Sequence, residues 1–233
     1  MGTLALMLWS ACFFQAAVDE KTAEKAVRSF NAFPRAKHSE EEYIEALNAM
    51  AETVHSRTLN RLAAIVGSSS EAPKVRIAAA LKMGEMAPLK KQAAAALSGA
   101  YSSASQAPAV QLIILQALGM TKDSGALSCI HRAFEEKDPD LVRRAVASAG
   151  IIKHPNSVDA ILTLLSRLEK QIQAAGDGPK PAPADGKPVD VDSLKETADA
   201  CNKALAAITG QSFASSAAWQ DWWNRNRSTI KPQ

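Results

Sequence analysis

The sequence predicts an all-α fold in which antiparallel helix pairs stack into an α-solenoid. Three observations carry this prediction. The chain of 233 residues is 47% hydrophobic but only 5% aromatic, and most of its apolar residues are alanine and leucine, which favour helices. A Pro-to-Gly interval also recurs three times, and the apolar residues inside it are spaced as on one face of a helix.

The three Pro-to-Gly intervals predict the first helix of three successive pairs. They are Pro73–Gly84, Pro108–Gly119 and Pro139–Gly150, and each glycine follows its proline by 11 positions. Proline suits the first position of a helix and glycine suits the residue just past its end, so we expect each helix to end before its glycine. Equivalent positions are apolar in every copy: Val75, Val110 and Leu141; Ala79, Ile114 and Ala145; Ala80, Leu115 and Val146; Met83, Leu118 and Ala149.

A second helix is predicted after each glycine. Its apolar residues are Leu89, Ala93 and Leu97 in the first copy, Ala126 or Leu127 with Ile130 and Phe134 in the next, and Val158, Ile161, Leu162 and Leu165 in the third. The repeat is 35 and then 31 residues long, measured from glycine to glycine. A helix pair of this length must stack on a neighbour to bury its apolar face, which predicts a solenoid.

Short motifs within these intervals resemble a known repeat family. The Pro-x-Val-Arg sequence ending at Val75-Arg76, the Leu-Val-Arg sequence at Leu141-Val142-Arg143 and the closing small residue followed by glycine resemble short bacterial HEAT-like repeats of the PBS-lyase type. The resemblance covers about residues 73–168, and the segment 209–227 resembles the terminal segment of some bacterial HEAT-like proteins. It implies a HEAT-like superhelix but no single activity, because such repeats support many functions.

The same plan predicts five regions along the chain. They are a signal peptide at 1–17, an N-terminal helical cap at 18–38, HEAT-like helix pairs at 39–172, a Pro/Gly-rich flexible insert at 173–191, and a last helix pair with a Trp-rich cap at 192–233. Helices are predicted over 19–33, 41–54 and 58–66. Ser39 with Glu42 forms a capping-box pattern before the second of these.

The C-terminal region predicts a helix from Asp192 to Ile208 that Gly210 stops, followed by a helix that carries three tryptophans. Trp219, Trp222 and Trp223 share one helix face because they are three and four positions apart. A solenoid needs its open end covered, so we expect these rings to cover it. The alternative is an aromatic platform that binds a sugar or a cation.

The first 17 residues contain no charged side chain and predict an exported protein of the periplasm or cell envelope. No Lys or Arg precedes the apolar run, and Gln15 occupies a position where a cleavage site usually has a small residue. Leu8–Cys12 loosely resembles a lipoprotein signal, which would lipidate Cys12 and hold the protein at a membrane. The alternative is a buried N-terminal helix in a cytoplasmic protein.

No catalytic residue, metal site or cofactor is predicted, and no binding residue can be assigned. His38, His55, His131 and His154 are far apart, and His131 with Glu135 supplies two ligands at most. Asp138 precedes Pro139 as a helix cap rather than pairing with Asp140 in a site. Cys12, Cys129 and Cys201 are too few for a disulfide framework, although one bridge between the last two stays open.

These observations predict a monomeric, non-enzymatic scaffold that binds a protein partner of unknown identity. In HEAT-like solenoids the second helices commonly line the binding surface. Outward residues of these helices align in two columns, one of Lys91, Ser128 and Asp159 and one of Ala95, Arg132 and Thr163. Neither column has a common charge. Nucleic acid is therefore not expected as a partner, in keeping with a net charge of only +3. The alternative is a helical-repeat enzyme that is bilin-lyase-like or DNA-glycosylase-like.

Overall fold

The computed structural model describes residues 18–104, 107–176 and 190–231, and in that part of the chain every regular element is helical. Eleven α-helices of this part pack neighbour to neighbour, which confirms the predicted all-α solenoid. The helices are α1 (Glu20–Asn31), α2 (Glu40–Ala51), α3 (Ser56–Gly67), α4 (Pro73–Glu85), α5 (Lys90–Ser103), α6 (Pro108–Thr121), α7 (Leu127–Arg132), α8 (Pro139–Ile152), α9 (Val158–Gly176), α10 (Val191–Thr209) and α11 (Ser216–Asn226).

The helices form two layers. The first-helix layer consists of α2, α4, α6, α8 and α10, and each of these helices packs on the next. The second-helix layer consists of α1, α3, α5, α7, α9 and α11, which pack across the first layer and against one another more sparsely. Each pair is therefore one helix from each layer, as a repeat that cannot bury its apolar face alone requires.

Side chains at the predicted apolar positions fill the space between the layers. All the equivalent residues of the three Pro-to-Gly intervals, from Val75 to Ala149, are at most 3% exposed. The predicted residues of the second helices are buried as well, except for Leu89, which is partly buried. Because many of these side chains are alanine, the core is thin and the helices approach closely.

Proline opens three first helices, as predicted. Pro73, Pro108 and Pro139 are the first residues of α4, α6 and α8, where their missing N–H is not needed. Before α8, the Asp138 carboxylate accepts a hydrogen bond of 2.9 Å from the Asp140 amide, which confirms its predicted capping role.

The prediction that the three glycines lie just past the helix ends is wrong. Gly84, Gly119 and Gly150 lie inside α4, α6 and α8, one or two positions before the last residue of each helix. A Cβ on Gly119 would lie 3.0 Å from the Cα of Ser148. The glycines are therefore required by the close approach of neighbouring first helices, not by the backbone conformation of a helix end.

Left-handed residues end the three later first helices. Lys122 and Lys153 follow α6 and α8 with φ of 50° and 55°, and Gly210 follows α10 with φ of 72°. Gly210 thus stops α10 as predicted. A left-handed lysine costs about 1–2 kcal/mol of backbone free energy that glycine avoids.

The arginines of the repeat motif connect neighbouring pairs in different directions. Arg76 is buried, and its Nε donates 2.9 Å to the Val66 carbonyl at the end of α3 in the preceding pair. Arg143 forms an ion pair with Asp140 and donates 3.0 Å to the Ser193 hydroxyl of α10 in the following pair. Motif positions that look alike in sequence therefore stabilise different junctions.

The flanking elements lie close to their predicted ranges. Ser39 and Glu42 form the predicted capping box of α2. After the third repeat, α9 continues to Gly176, so residues 173–176 are helical where the flexible insert was predicted to begin. Gln173, Ala174 and Ala175 favour helix, and the glycines and prolines come only afterwards. The predicted signal peptide with Cys12, and residues 177–189 of the predicted insert, lie outside the described residues.

Candidate functional site

An open groove lies between α8 and α10 on the outer face of the first-helix layer. Its volume is about 490 Å³, and its exposed lining is mostly apolar. The lining residues are Ala147, Gly150, Ile151, Ala200, Ala204 and Ala207 with Lys122, Lys153 and Lys203. We call this surface the α8–α10 groove.

Close helix packing forms the floor of the α8–α10 groove. A Cβ on Gly150 would lie 3.1 Å from the Cα and Cβ of Ala204, so α8 and α10 are nearly in backbone contact here. Ala147 and Ala207 are exposed on either side, and their methyl groups leave the groove unfilled. A shallow valley between two rigid helices results.

Ile151 is the one large apolar side chain that is exposed in the described part of the chain, with 43% of its surface accessible. It directly follows Gly150. The residues that directly follow the glycines of the two preceding first helices are Glu85, which is exposed, and Met120, which is half-buried. The outer surface therefore changes from charged to apolar along the layer.

Three lysines surround the apolar part of the groove. Lys122 and Lys153 extend from left-handed positions at the ends of α6 and α8, and Lys203 lies on α10. Within the described ranges none of these ammonium groups has a carboxylate within 4.0 Å, and no Asp or Glu lines the groove. The groove thus combines an apolar floor with positive charge at its edges.

A second, polar cleft of about 310 Å³ lies between α8, α9 and α10. Arg167 in this cleft forms an ion pair with Glu135 and donates 3.0 Å to the Phe134 carbonyl. Glu136 accepts a hydrogen bond of 3.1 Å from the Tyr101 hydroxyl. Burial raises the pKa of Tyr101, and this hydrogen bond raises it further. Arg167, Glu135 and Glu136 are therefore engaged by partners within the fold, whereas Lys137 at the edge of the cleft is exposed.

The outward columns of the second helices do not form a shared surface. Asp159 is exposed and accepts a hydrogen bond of 2.8 Å from the indole of Trp223 on α11. Arg132 reaches the Ser102 hydroxyl at 3.3 Å, while Lys91 and Ser128 are exposed. The six residues of the two columns are all exposed but carry no common charge, so they do not form one charged surface.

The four histidines occupy separate structural positions. His55 and His154 accept hydrogen bonds of 3.2 Å from the backbone amides of Arg57 and Asn156 and so act as helix caps. His38 lies 3.3 Å from Glu42. His131 lies 3.0 Å from the Ser157 hydroxyl instead of contacting Glu135, and burial lowers its pKa.

The two described cysteines are buried free thiols that do not pair with each other. Burial raises the pKa of Cys201 to about 12 and also raises the pKa of Cys129. Both thiols are held in the protonated form, which is a poor nucleophile and metal ligand. Over the residues that the structure covers, no three His, Cys, Asp or Glu side chains are grouped to hold a metal ion.

The tryptophan cluster covers the last helix pair. Trp219 and Trp223 are buried, and the Trp219 indole donates 2.8 Å to the Asn202 side chain of α10. The Glu169 carboxylate of α9 accepts from the Ser216 amide at 2.9 Å and so anchors the start of α11. Of the three tryptophans only Trp222 is partly accessible, so most of the ring surface of the cluster is used in packing.

No protein-family model matches this sequence, and no curated protein is significantly similar to it. The HEAT resemblance of the motif residues therefore stays a prediction. Among the described helices, none is long and apolar enough to cross a membrane.

Proposed function

We propose that this protein is a non-enzymatic, HEAT-like interaction scaffold that binds a partner protein through the α8–α10 groove. The observation that supports this proposal is the exposure of Ile151 beside a valley of glycine and alanine. A single exposed apolar side chain is ordinary on its own, but one that adjoins an open apolar groove extends that groove into the kind of surface that a partner covers. Because the groove lies between two closely packed helices, it needs little rearrangement to bind.

The alternative enzymatic function would place its chemistry in the polar cleft. A bilin-lyase-like or DNA-glycosylase-like enzyme needs acid and base groups, or a basic surface, that are free to meet a substrate. Arg167 is instead engaged by Glu135 and the Phe134 carbonyl, and Glu136 by Tyr101. The interaction proposal uses side chains that have no partner within the described chain, which is why we prefer it.

The scaffold is proposed to act as a monomer, because two copies that met through their grooves would bring together six lysines. Export is a separate proposal that rests on the uncharged stretch at residues 1–17. Mass spectrometry of the mature N-terminus tests export and lipidation of Cys12 together. A retained Met1 in the native host would overturn the export proposal.

The partner proposal is tested by affinity capture from the cells that make the protein, with residues 18–233 as bait. Wild-type protein is compared with Ile151→Glu, which places a charge in the groove, and with Ala95→Glu, which places one on exposed α5. We expect one set of proteins to be enriched by the wild type and by Ala95→Glu and to be lost with Ile151→Glu. Equal capture by all three baits, or no enrichment at all, would contradict the proposal.

A further inference from the structure

We infer that the occupant of the α8–α10 groove is an acidic amphipathic helix of a partner protein. This inference rests on the proposed function and adds the chemistry of the partner to it. Two features carry it: the charge at the edges of the groove and the shape of its floor.

The charge at the edges calls for an anionic partner. Lys122, Lys153 and Lys203 supply three positive charges, and no carboxylate lines the groove. The C-terminal ends of α6, α8 and α10 are nearby, but each contributes only about half a negative charge, which is less in sum than the three lysines supply. A net positive surface remains, and complementary charge on a partner speeds association and selects against basic partners.

The positions of Lys122 and Lys153 strengthen this argument. Both occupy left-handed backbone conformations at the ends of consecutive first helices, and the next first helix has glycine in the corresponding place. Lysine is a strained choice there. Its repetition at adjacent repeats places two ammonium groups along one edge of the groove, as a row of acidic side chains on a helix would require.

The floor of the groove fits a helix. Gly150 and Ala204 allow α8 and α10 to pack in near backbone contact, and the alanines on both sides offer a valley between two parallel ridges. A partner helix can lay an apolar stripe, spaced three and four residues apart, into such a valley and cover Ile151. Acidic residues beside that stripe would then face the lysines.

A bilayer surface is a poorer match to the same residues. The apolar floor lies between the helices, and a flat surface would meet the lysines and Ile151 without reaching Ala204, which is buried. Interfacial membrane binding instead uses a broad apolar face that enters the headgroup region. The shape of the groove therefore favours a protein helix over an anionic lipid.

Fluorescence anisotropy with a designed probe tests the inference. The probe is a labelled helical peptide of about 18 residues, or five turns, with leucines on one face and glutamates beside them. Its control has lysines in place of the glutamates. We expect saturable, salt-sensitive binding of the acidic peptide, at least tenfold weaker binding by Lys153→Glu/Lys203→Glu, and unchanged binding by the exposed α5 variant Lys90→Glu/Lys91→Glu.

The outcomes separate this inference from the proposed function. Equal affinity for the lysine peptide, or no loss in Lys153→Glu/Lys203→Glu, would overturn the acidic partner while leaving the Ile151-dependent capture intact. Binding of vesicles that contain phosphatidylserine, with loss of peptide binding in their presence, would overturn it in favour of a membrane. Circular dichroism of each variant checks that its helix content and thermal unfolding match the wild type.

Discussion

The two helix layers are stabilised in different ways. In the first-helix layer, Gly84, Gly119 and Gly150 bring neighbouring helices so close that an added Cβ would meet backbone atoms at 3.0–3.1 Å. In the second-helix layer, Gly67 and Gly99 have no such neighbour within 4 Å. The closest contacts between first helices need glycine, whereas the second-helix layer buries large aromatic side chains such as Tyr101 and Trp223.

This difference explains where the chain tolerates variation. The second helix of one pair, α5, has 14 residues, while that of the next, α7, has six. The second helix is therefore eight residues, or about two helical turns, shorter in the 31-residue repeat, whereas the first helices α6 and α8 keep equal lengths of 14 residues. The first-helix layer, in which each helix packs on the next, therefore carries the stacking, and the α8–α10 groove lies on this layer.

The largest change in stability is expected from Trp223→Ala in the second-helix layer. Trp223 is 4% exposed and donates to Asp159, so its loss leaves a cavity and removes this hydrogen bond. We expect the free energy of unfolding to fall by about 3–5 kcal/mol in urea titrations. Trp222→Ala, which removes the half-buried neighbouring ring, should lower the free energy of unfolding clearly less. Similar losses at both positions would mean that α11 is not held mainly by its buried face.

The first-helix layer is tested by Gly119→Val with Gly99→Val as its matched control. The first substitution forces a branched side chain against the Cα and Cβ of Ser148, while the second adds one in open space on α5. Overpacking should lower the free energy of unfolding by about 1–3 kcal/mol at position 119. The control should change little, because valine is no worse than glycine in a helix. Equal effects would show that the layers do not differ.

These glycines also show the limit of reading this fold from sequence. Proline starts, the capping box and the apolar spacing are local signals, so most helices and their buried residues could be predicted. A glycine near the end of a helix looks the same in sequence whether it relieves backbone strain or admits a neighbour. Only the observed contact between Gly119 and Ser148 separates the two roles.

The α8–α10 groove could not be predicted for a related reason. Its two walls are separated by α9 and by residues 177–189, so sequence spacing does not place Ala200 beside Ala147. The sequence contains a usable signal in Ile151, an apolar residue that lies off the repeated apolar face of Leu141, Ala145, Val146 and Ala149. A single exposed apolar residue is common on a helix, so Ile151 indicates a surface only once α10 is placed beside α8.

A smaller effect is expected from Ser148→Ala. The Ser148 hydroxyl of α8 donates 2.7 Å to the Leu115 carbonyl of α6 and is buried. Removing one hydrogen bond between first helices should lower the free energy of unfolding by about 1 kcal/mol in urea titrations. Thr163→Ala is the control in the second-helix layer, where the hydroxyl is exposed and bonds within its own helix. An equal loss at Thr163 would contradict the importance of bonds between first helices.

The smallest effect concerns pH and the junction between α7 and α9. Burial lowers the pKa of His131, so below the ordinary histidine pKa of about 6.5 the unfolded chain takes up a proton that the folded protein does not. Stability contributed by the neutral side chain is therefore present above that pH and is lost as the pH falls through 6.5, by at most about 1.4 kcal/mol per pH unit. Replacing His131 with Gln should flatten this part of the pH profile in urea titrations at a series of pH values.

The exposed pair His38 and Glu42 gives the matched control, because His38→Gln should leave the slope in place. A slope that persists in His131→Gln and disappears in His38→Gln would assign the pH dependence to the N-terminal end instead of to the second-helix layer.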